Sequence, residues 1–464
     1  MRDGEELSLS LQTAMIFELS VPAILAQLSS LIMQYIDASM VGRIGGNASA
    51  SIGLISSSTW LFGGLSIAAA TGFTVQIAKK IGAKDEKGAR NLVREGLVCV
   101  LLFAAVLTAV GASISSKLPL WLHGGEELAK DASVYFLVFA LSLPFVVLNY
   151  AAAGMLQCSG NMKVPGILEI IMCALDVIFN ALLIFPARKL SVLGRTFTLP
   201  GADLGVTGAA LGTALAQAVT VVLLLYFLLV RSKELHLRRG EKLRWVKKDI
   251  REAIRIGVPV AVEQTITCGA YIAFTRIVSP LGALALAANS FAITAESLCY
   301  MPGYGIGASA TTIVGQCIGA KRSRLARRLG FMTTLVGILV MTVTGGLMFM
   351  FSPFMMSLLT PDKAIRTLGA HILRIEAFAE PMYGASIVAA GVFRGAGDTA
   401  VSSVLNFISM WTVRIPLAAI LAPVYGLSGI WTAMCIELCV RGILFLVLLS
   451  IRSRKWNCEQ EQGD

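Results

Sequence analysis

Ile81-Gly82-Ala83-Lys84 recurs as Ile318-Gly319-Ala320-Lys321, and 318 minus 81 is 237. Val21-Pro22 recurs as Val258-Pro259, Gln27 as Gln264, and the block Gly154 to Gly160 as the similar block Gly391 to Gly397, all at that one offset. Landmarks spread over most of each half keep a single spacing only if the chain is two homologous halves. Whatever it folds into is doubled, and its function is expected where the copies meet.

The material of each half is membrane material. Hydrophobic residues make up 56% of the chain and charged ones 14%, with a mean hydropathy of +0.75, which excludes a soluble class. The stretches 44–78, 132–162, 204–230 and 329–361 carry no charge at all, and each exceeds the roughly 20 residues that a helix needs to cross the bilayer core. Solid apolar runs rather than alternating ones mean helices, not a barrel. Residues 1–11 hold Arg2, Asp3, Glu5 and Glu6 ahead of an ordinary span, so no cleavable signal is expected. The nine cysteines have no metal or disulfide spacing and read as small packing residues, Cys435 and Cys439 included, while His123, His236 and His371 are too dispersed to cluster.

The net charge of +11 is topological rather than a nucleic-acid signal. Ten Lys/Arg residues lie between Arg231 and Arg255, six between Lys79 and Arg94, and five between Lys321 and Arg328, marking one cytoplasmic side. Apolar runs and their breaks predict helices near 14–40, 49–76, 92–115, 133–156, 164–186, 206–230, 257–280, 284–313, 329–352, 368–393, 399–422 and 427–450. The expected fold is therefore an all-α membrane protein of twelve spans in two homologous six-helix bundles, with both termini cytoplasmic. Six is even, so the copies insert in the same orientation and their pseudo-two-fold axis follows the membrane normal. The domains are read as a first lobe 1–230, a basic linker 231–256 that can also hold anionic lipid, and a second lobe with a short tail 257–464. Gly205 and Gly208 match Gly426 and Gly429 at an offset of 221, so the first half has gained 237 minus 221, or 16, residues. The insertion near Leu190 to Pro200, with Gly194-Arg195 at its middle, predicts a short external hairpin, read as a neutral loop rather than a lid.

Several of these landmarks together carry a family pattern. Val21-Pro22 with Asp37 and Val41-Gly42, the Ile81 to Lys84 run, Met301-Pro302-Gly303 leading to Val314-Gly315-Gln316, and Arg394-Gly395-Ala396-Gly397-Asp398-Thr399 resemble the multidrug and toxic compound extrusion (MATE) transporters over essentially the whole chain. The resemblance implies a secondary antiporter of the cell membrane that exports organic, often cationic, compounds in exchange for inward Na⁺ or H⁺. It implies no cofactor beyond that ion. It also implies a cation-binding acid at Asp37, where matching family members carry theirs.

The acids inside the spans ask independently for a purpose, since each costs roughly 2.5–3.5 kcal/mol to insert. They are Asp37, Glu169, Asp176, Glu263, Glu296, Glu376, Glu380 and Glu437. Asp37 has no nearby intramembrane cation in sequence, and its repeat mate is the apolar Phe274. In a low-dielectric cavity the cost of a lone carboxylate is relieved by a proton or by Na⁺. Asp176 and Asn180, four residues apart, share a helix face and are expected to complete a cation site with Asp37, no other metal site being expected; a polar pair packing helix five is the competing reading. Family members commonly hold an acid where Asn180 stands, which leaves the choice between Na⁺ and H⁺ open. Glu380-Pro381 replaces Leu143-Pro144 of the first half, so that acid too was gained once. Arg374 suggests a partner for Glu376, and Arg441 one for Glu437 at i+4. Glu169, Glu296 and Glu437 are read as structural.

Glu263, Glu380, Gln264, Tyr300 and Met301 are the candidates for an adaptable substrate cavity, and Phe291, Tyr304 and Met382 are read alongside them. Pro22, Pro144, Pro259 and Pro381 form symmetric pairs expected to serve as hinges, while Gly208 and Gly212 give a GxxxG packing match. Gly303, Gly305 and Gly307 follow no strand and lack a lysine, so a nucleotide loop is not supported. The partners expected are a small organic substrate and the bilayer, without nucleic acid, for a chain working as a monomer. A lipid-linked precursor flippase is the alternative, but its pyrophosphate cargo calls for inward basic residues, and the eight acids outnumber Arg276, Arg374, Arg414 and Arg441 by eight to four. No metalloprotease or Asp-rich motif supports an intramembrane enzyme. Single cysteines at positions 232 and 198 of a cysteine-free variant should label from opposite sides of the membrane. Labelling of 232 by an impermeant reagent outside intact cells would overturn the orientation.

Overall fold

The computed structural model describes residues 8–122, 125–192, 195–238, 241 and 243–461. His123, Gly194 and positions 239, 240 and 242 of the basic linker lie outside them. In chain order the elements are α1 (Leu9–Gly42), α2 (Gly46–Gly82), α3 (Glu86–Ile114), a short α4 (Leu118–Trp121), α5 (Glu126–Cys158), α6 (Lys163–Leu183), β1 (Pro186–Val192), β2 (Arg195–Ala202) and α7 (Gly205–Tyr226). The second half holds α8 (Lys247–Val278), α9 (Ala283–Gly319), α10 (Ser323–Leu359), α11 (Lys363–Glu376), α12 (Glu380–Ala396), α13 (Thr399–Ile408) and α14 (Ile415–Glu461). A π-helical turn, Ser409–Arg414, joins α13 to α14, and α14 itself breaks at Gly426 with φ 59° and ψ −139°.

Among the described residues nine helical stretches are long and apolar enough to cross a bilayer. The last of them, Thr399–Arg454, is two spans because Gly426 divides it. α9, with Glu296 in its interior, and the α11–α12 pair, with Glu376 and Glu380 at its break, add two more, so 9 + 1 + 2 gives twelve. The inserted residues form the expected antiparallel hairpin, β1 paired with β2 from Pro186↔Ala202 to Val192↔Arg195.

The helices run further at their basic ends than the apolar runs predict. α2 continues to Gly82, α10 starts at Ser323 and α8 at Lys247, within the segment 231–256 assigned to the linker. Lys and Arg are good helix formers and, beyond the hydrocarbon, nothing obliges the helix to stop. The non-helical linker is correspondingly shorter, and it is fastened to the first lobe. Glu241 accepts from Arg90 Nη2 at 2.9 Å and Arg94 Nη2 at 3.1 Å, Val246 N donates to Glu95 Oε1 at 3.0 Å, and Asn91 pairs with both backbone groups of Arg244. The hydrogen bond from Arg90 holds the Glu241 carboxyl below the usual carboxylate range.

The repeat is visible as geometry. Lys84 and Lys321, 237 apart, are both left-handed (φ 60° and 56°) and end α2 and α9 with the same turn, in which Asp85 N reaches Lys80 O at 3.0 Å and Arg322 N reaches Cys317 O at 2.9 Å. The lobes meet along two matching seams. α1 lies on α9 from Ile24, whose backbone a Cβ at Gly305 would strike, to the bond from Tyr35 Oη to the Thr294 carbonyl. α2 lies on α8 from Gln76 Nε2, 3.0 Å from Asp249 O, to Cys268 Sγ, 3.4 Å from Ser57 O. At the basic end α2 and α9 cross backbone to backbone. A Cβ at Gly82 would strike the Gln316 carbonyl, and one at Gly319 would strike the Lys79 carbonyl, the repeat-related contact since 79 + 237 is 316. Nearby, the Arg394 to Thr399 run forms a junction: Gly397 ends α12 at φ 86°, Asp398 pairs with Arg452 at 2.7 Å, and Thr399 donates to the Ile256 carbonyl at 2.9 Å.

Gly319→Ala should therefore cost about 1–3 kcal/mol through overpacking at the lobe crossing. Gly63→Ala, where a Cβ meets nothing within 4 Å, should be neutral or stabilising. Chemical denaturation in detergent compares them, and equal stabilities would contradict the backbone contact.

Candidate functional site

Asp37 stands on α1 and Asp176 and Asn180 on α6, each within about two turns of the helix end opposite the basic turns. Asn180 Nδ2 donates to Asp37 Oδ1 at 2.8 Å and to Asp176 Oδ2 at 3.0 Å, so one amide nitrogen bridges the two carboxyls. Asp176 and Asn180 are fully buried, whereas Asp37 is half-buried. Asp176 Oδ1 and Asn180 Oδ1 have no hydrogen-bond partner. Glycine makes the arrangement possible: a Cβ at Gly212 of α7 would overlap Asn180 Oδ1, and one at Gly208 would strike the Leu183 backbone. The GxxxG pair thus packs α7 onto α6 and leaves room for the amide. Two carboxyls bridged in this way cannot both stay ionised in a low-dielectric interior unless a positive charge joins them.

The second lobe has a different polar interior. Arg414, on the π-helical turn, donates to Glu437 Oε2 at 2.7 Å, and Arg441 Nε lies 3.0 Å from Glu437 Oε1 and 5.4 Å from the Tyr383 ring centroid at its guanidinium carbon. The expected Glu437–Arg441 pair is present and enlarged by Arg414. Glu296, Glu376 and Glu380 are buried, and both carboxyl oxygens of Glu376 and of Glu380 have no hydrogen-bond partner. The expected Arg374–Glu376 pair is absent. Arg374 lies on the outer face of α11, over the Phe349 ring at 5.7 Å, because two residues along a helix turn a side chain about 200° away. Tyr300 joins Tyr304 and Tyr383 in edge-on contacts of 5.9 and 5.5 Å, and Met301 is half-buried next to Pro302.

Glu263 and Gln264 part company. Glu263 turns into its lobe, accepting from Asn406 Nδ2 at 2.6 Å and Ser403 Oγ at 3.1 Å, while Gln264 lies on the seam, 2.8 Å from where a Cβ of Gly64 would stand. Of the prolines, Pro22 and Pro259 sit inside α1 and α8 at repeat-related contacts, the Pro22 carbonyl beside Gly166 and the Pro259 carbonyl accepting from Ser403 Oγ at 2.8 Å. Pro144 lies within the continuous α5, but its mate Pro381 is the second residue of α12, after the break that separates α11 from α12. There it starts a helix rather than kinking one. Sequence reasoning missed the pairing of Arg414 with Glu437 and the bond from Ser30 Oγ to Glu169 Oε1 at 2.5 Å, which ties α6 to α1. Only a contact map distinguishes these from other isolated polar residues.

The family model MatE matches residues 22–182 and again 259–420, one copy in each lobe. The "Probable multidrug resistance protein NorM" of Thermotoga maritima is 26% identical over 445 residues, covering 95% of this chain and 92% of that protein. The protein of the same name from Idiomarina loihiensis is 28% identical over 458 residues, covering 95% and 94%. In fold, the chain is similar to a MOP superfamily transporter from Pyrococcus furiosus (TM-score 0.88, 19% identity, 96% of this chain and 97% of that one) and to a crystal structure of MATE in the straight conformation (TM-score 0.87, 19% identity, with the same coverage).

Asn180 holds both acids, and Asp176→Asn/Asn180→Asp keeps one amide and two carboxyls in the same cluster. It should recover part of the transport lost in Asp176→Asn alone. A double mutant that is inserted and folded, yet as inactive as Asp176→Asn, would show that the two positions do not serve one site.

Proposed function

From the premise that this chain belongs to the MATE family of membrane transporters, we propose that it is a secondary antiporter exporting organic cations from the cell in exchange for an inward coupling ion. The observation that carries the reading is the Asp37–Asn180–Asp176 cluster, with its unpartnered buried oxygens. As the ion is cargo, its binding must alter the contacts between lobes. Asp37 lies on the helix that bonds across the seam through Tyr35, two residues earlier. One charge gained or lost at Asp37 therefore acts on the end of α1 that the second lobe holds.

The donor set favours a proton over Na⁺. Both N–H groups of Asn180 are spent on the two acids, and its carbonyl oxygen faces Gly212. Within the cluster Na⁺ would have to draw its side-chain oxygens mainly from the two carboxyls, whereas a proton needs a single oxygen. The substrate's charge class rests on the second lobe. There Glu437 takes the ion-pair contacts of both arginines, leaving Glu296, Glu376 and Glu380 buried without an ion pair among the described residues, in the lobe that also holds the Tyr300, Tyr304 and Tyr383 rings. Carboxylates edged by aromatic rings suit an amphipathic cation.

In liposomes, a pH gradient should drive uptake of a fluorescent organic cation by the wild type. Asp37→Asn should abolish that uptake at unchanged expression and melting temperature, and Glu380→Gln should weaken cationic cargo more than neutral cargo. Full activity of Asp37→Asn would remove the ion assignment. A requirement for Na⁺ would overturn the proton but not the site.

A further inference from the structure

A cavity of about 570 Å³ opens at the start of α10, lined by Arg324, Arg327, Arg328, Phe331 and Met332. Spacings of three, four and seven place Arg324, Arg327, Arg328 and Phe331 on one helix stripe. Among the described residues none of these arginines has an ion pair, although Arg327 lies over the Phe331 ring at 6.0 Å. Unpaired cations beside an apolar floor, where a charge-free span begins at Leu329, call for an anion that carries apolar surface.

The other lobe shows what such a surface holds. Subtracting 237 from 324, 327, 328, 331 and 332 gives Lys87, Arg90, Asn91, Arg94 and Glu95 of α3. That surface is occupied: Arg90 and Arg94 grip the Glu241 carboxylate of the linker, while Asn91 and Glu95 hold its backbone. In the second lobe Lys87 and Arg90 are matched by Arg324 and Arg327 and Asn91 has become Arg328, while Arg94 has become Phe331 and Glu95 has become Met332. The exchange removes the groups that hold a peptide backbone and substitutes one further guanidinium and two apolar side chains.

We propose that this cavity binds the phosphate headgroup of an anionic phospholipid from the leaflet it faces, with the guanidinium groups on the phosphate and the glycerol and first acyl carbons on Phe331 and Met332. Arginine suits a phosphate because its planar fork pairs two oxygens at once. The site lies at the basic end of the span, where an anionic leaflet concentrates cationic side chains. A lipid held there would do for α10 what Glu241 does for α3, namely neutralise the arginines and brace the helix against its lobe.

The test is native mass spectrometry of the full chain exchanged from detergent into phosphatidylglycerol or phosphatidylcholine mixtures, with the melting temperature of each variant as a fold control. The wild type should retain a phosphatidylglycerol that Arg324→Gln/Arg327→Gln/Arg328→Gln retains on the order of a hundredfold more weakly, with phosphatidylcholine binding unchanged. Lys247→Gln/Lys248→Gln/Arg251→Gln, which removes as much charge from the same side, should retain the lipid. Equal retention by the wild type and the arginine variant, or equal loss in both triple variants, would overturn the proposal. Displacement of the lipid by millimolar inorganic phosphate would reassign the cavity to a free anion. Lipid binding that appears only after Glu459→Gln/Glu461→Gln/Asp464→Asn would overturn it in favour of the chain's own acidic tail.

Discussion

The structure depends on how closely two helices cross. At Gly82 against Gln316 and Gly319 against Lys79, α2 and α9 touch backbone to backbone, and only hydrogen fits at the glycine positions. Lipid is as apolar as a leucine side chain, so burying apolar surface gives two lobes little reason to stay together in a bilayer. Close backbone approach supplies the dispersion contact that does. The crossing is symmetric because each partner comes from the same Ile-Gly-Ala-Lys run, which also ends its helix with a left-handed lysine. One short sequence, used twice, terminates two helices and joins two lobes.

The scaffold obeys the repeat, but the chemistry does not. At the 237 offset Asp37, Asp176 and Asn180 face Phe274, Val413 and Leu417, while Glu296, Glu376 and Glu380 face Thr59, Phe139 and Leu143. Each lobe keeps the other's polar positions almost wholly apolar. A buried carboxylate is costly, and two identical lobes would bear that cost twice for one function. The asymmetry gives the lobes two different polar interiors, an acid pair bridged by an amide in the first and three buried acids without an ion pair among the described residues in the second.

The fold was legible from the sequence because doubling, apolar length and basic turns are all one-dimensional signals. The meeting of Asp37, Asp176 and Asn180 was partly legible too, since four residues on a helix share a face. The ends of α2, α8 and α10 were not, because hydropathy marks where lipid stops, whereas helix propensity continues through lysine and arginine. The supposed Arg374–Glu376 pair failed on the same helical geometry that made the Asp176–Asn180 pair work. Positions two apart diverge, and Arg374 faces outward over Phe349. Glu437 illustrates the third kind of limit: its partner at i+4 was readable, but Arg414, 23 residues upstream, comes to it only through packing.

That arginine also explains why the second lobe's acids do not simply neutralise one another with the available bases. Arg414 occupies a π-helical turn just before Pro416, and such a turn re-aims side chains by widening the helix for one step. Both Arg414 and Arg441 converge on the same carboxylate, so Glu437 is doubly paired and the remaining three acids have none of the lobe's buried guanidinium groups in hydrogen-bond contact. A one-to-one pairing would have cost less desolvation. The concentration of both arginines on one glutamate leaves Glu296, Glu376 and Glu380 buried without an ion pair among the described residues, Glu296 itself standing on the seam helix α9. An interior built only for stability would have spread its two guanidinium groups over two acids rather than gathering both on one.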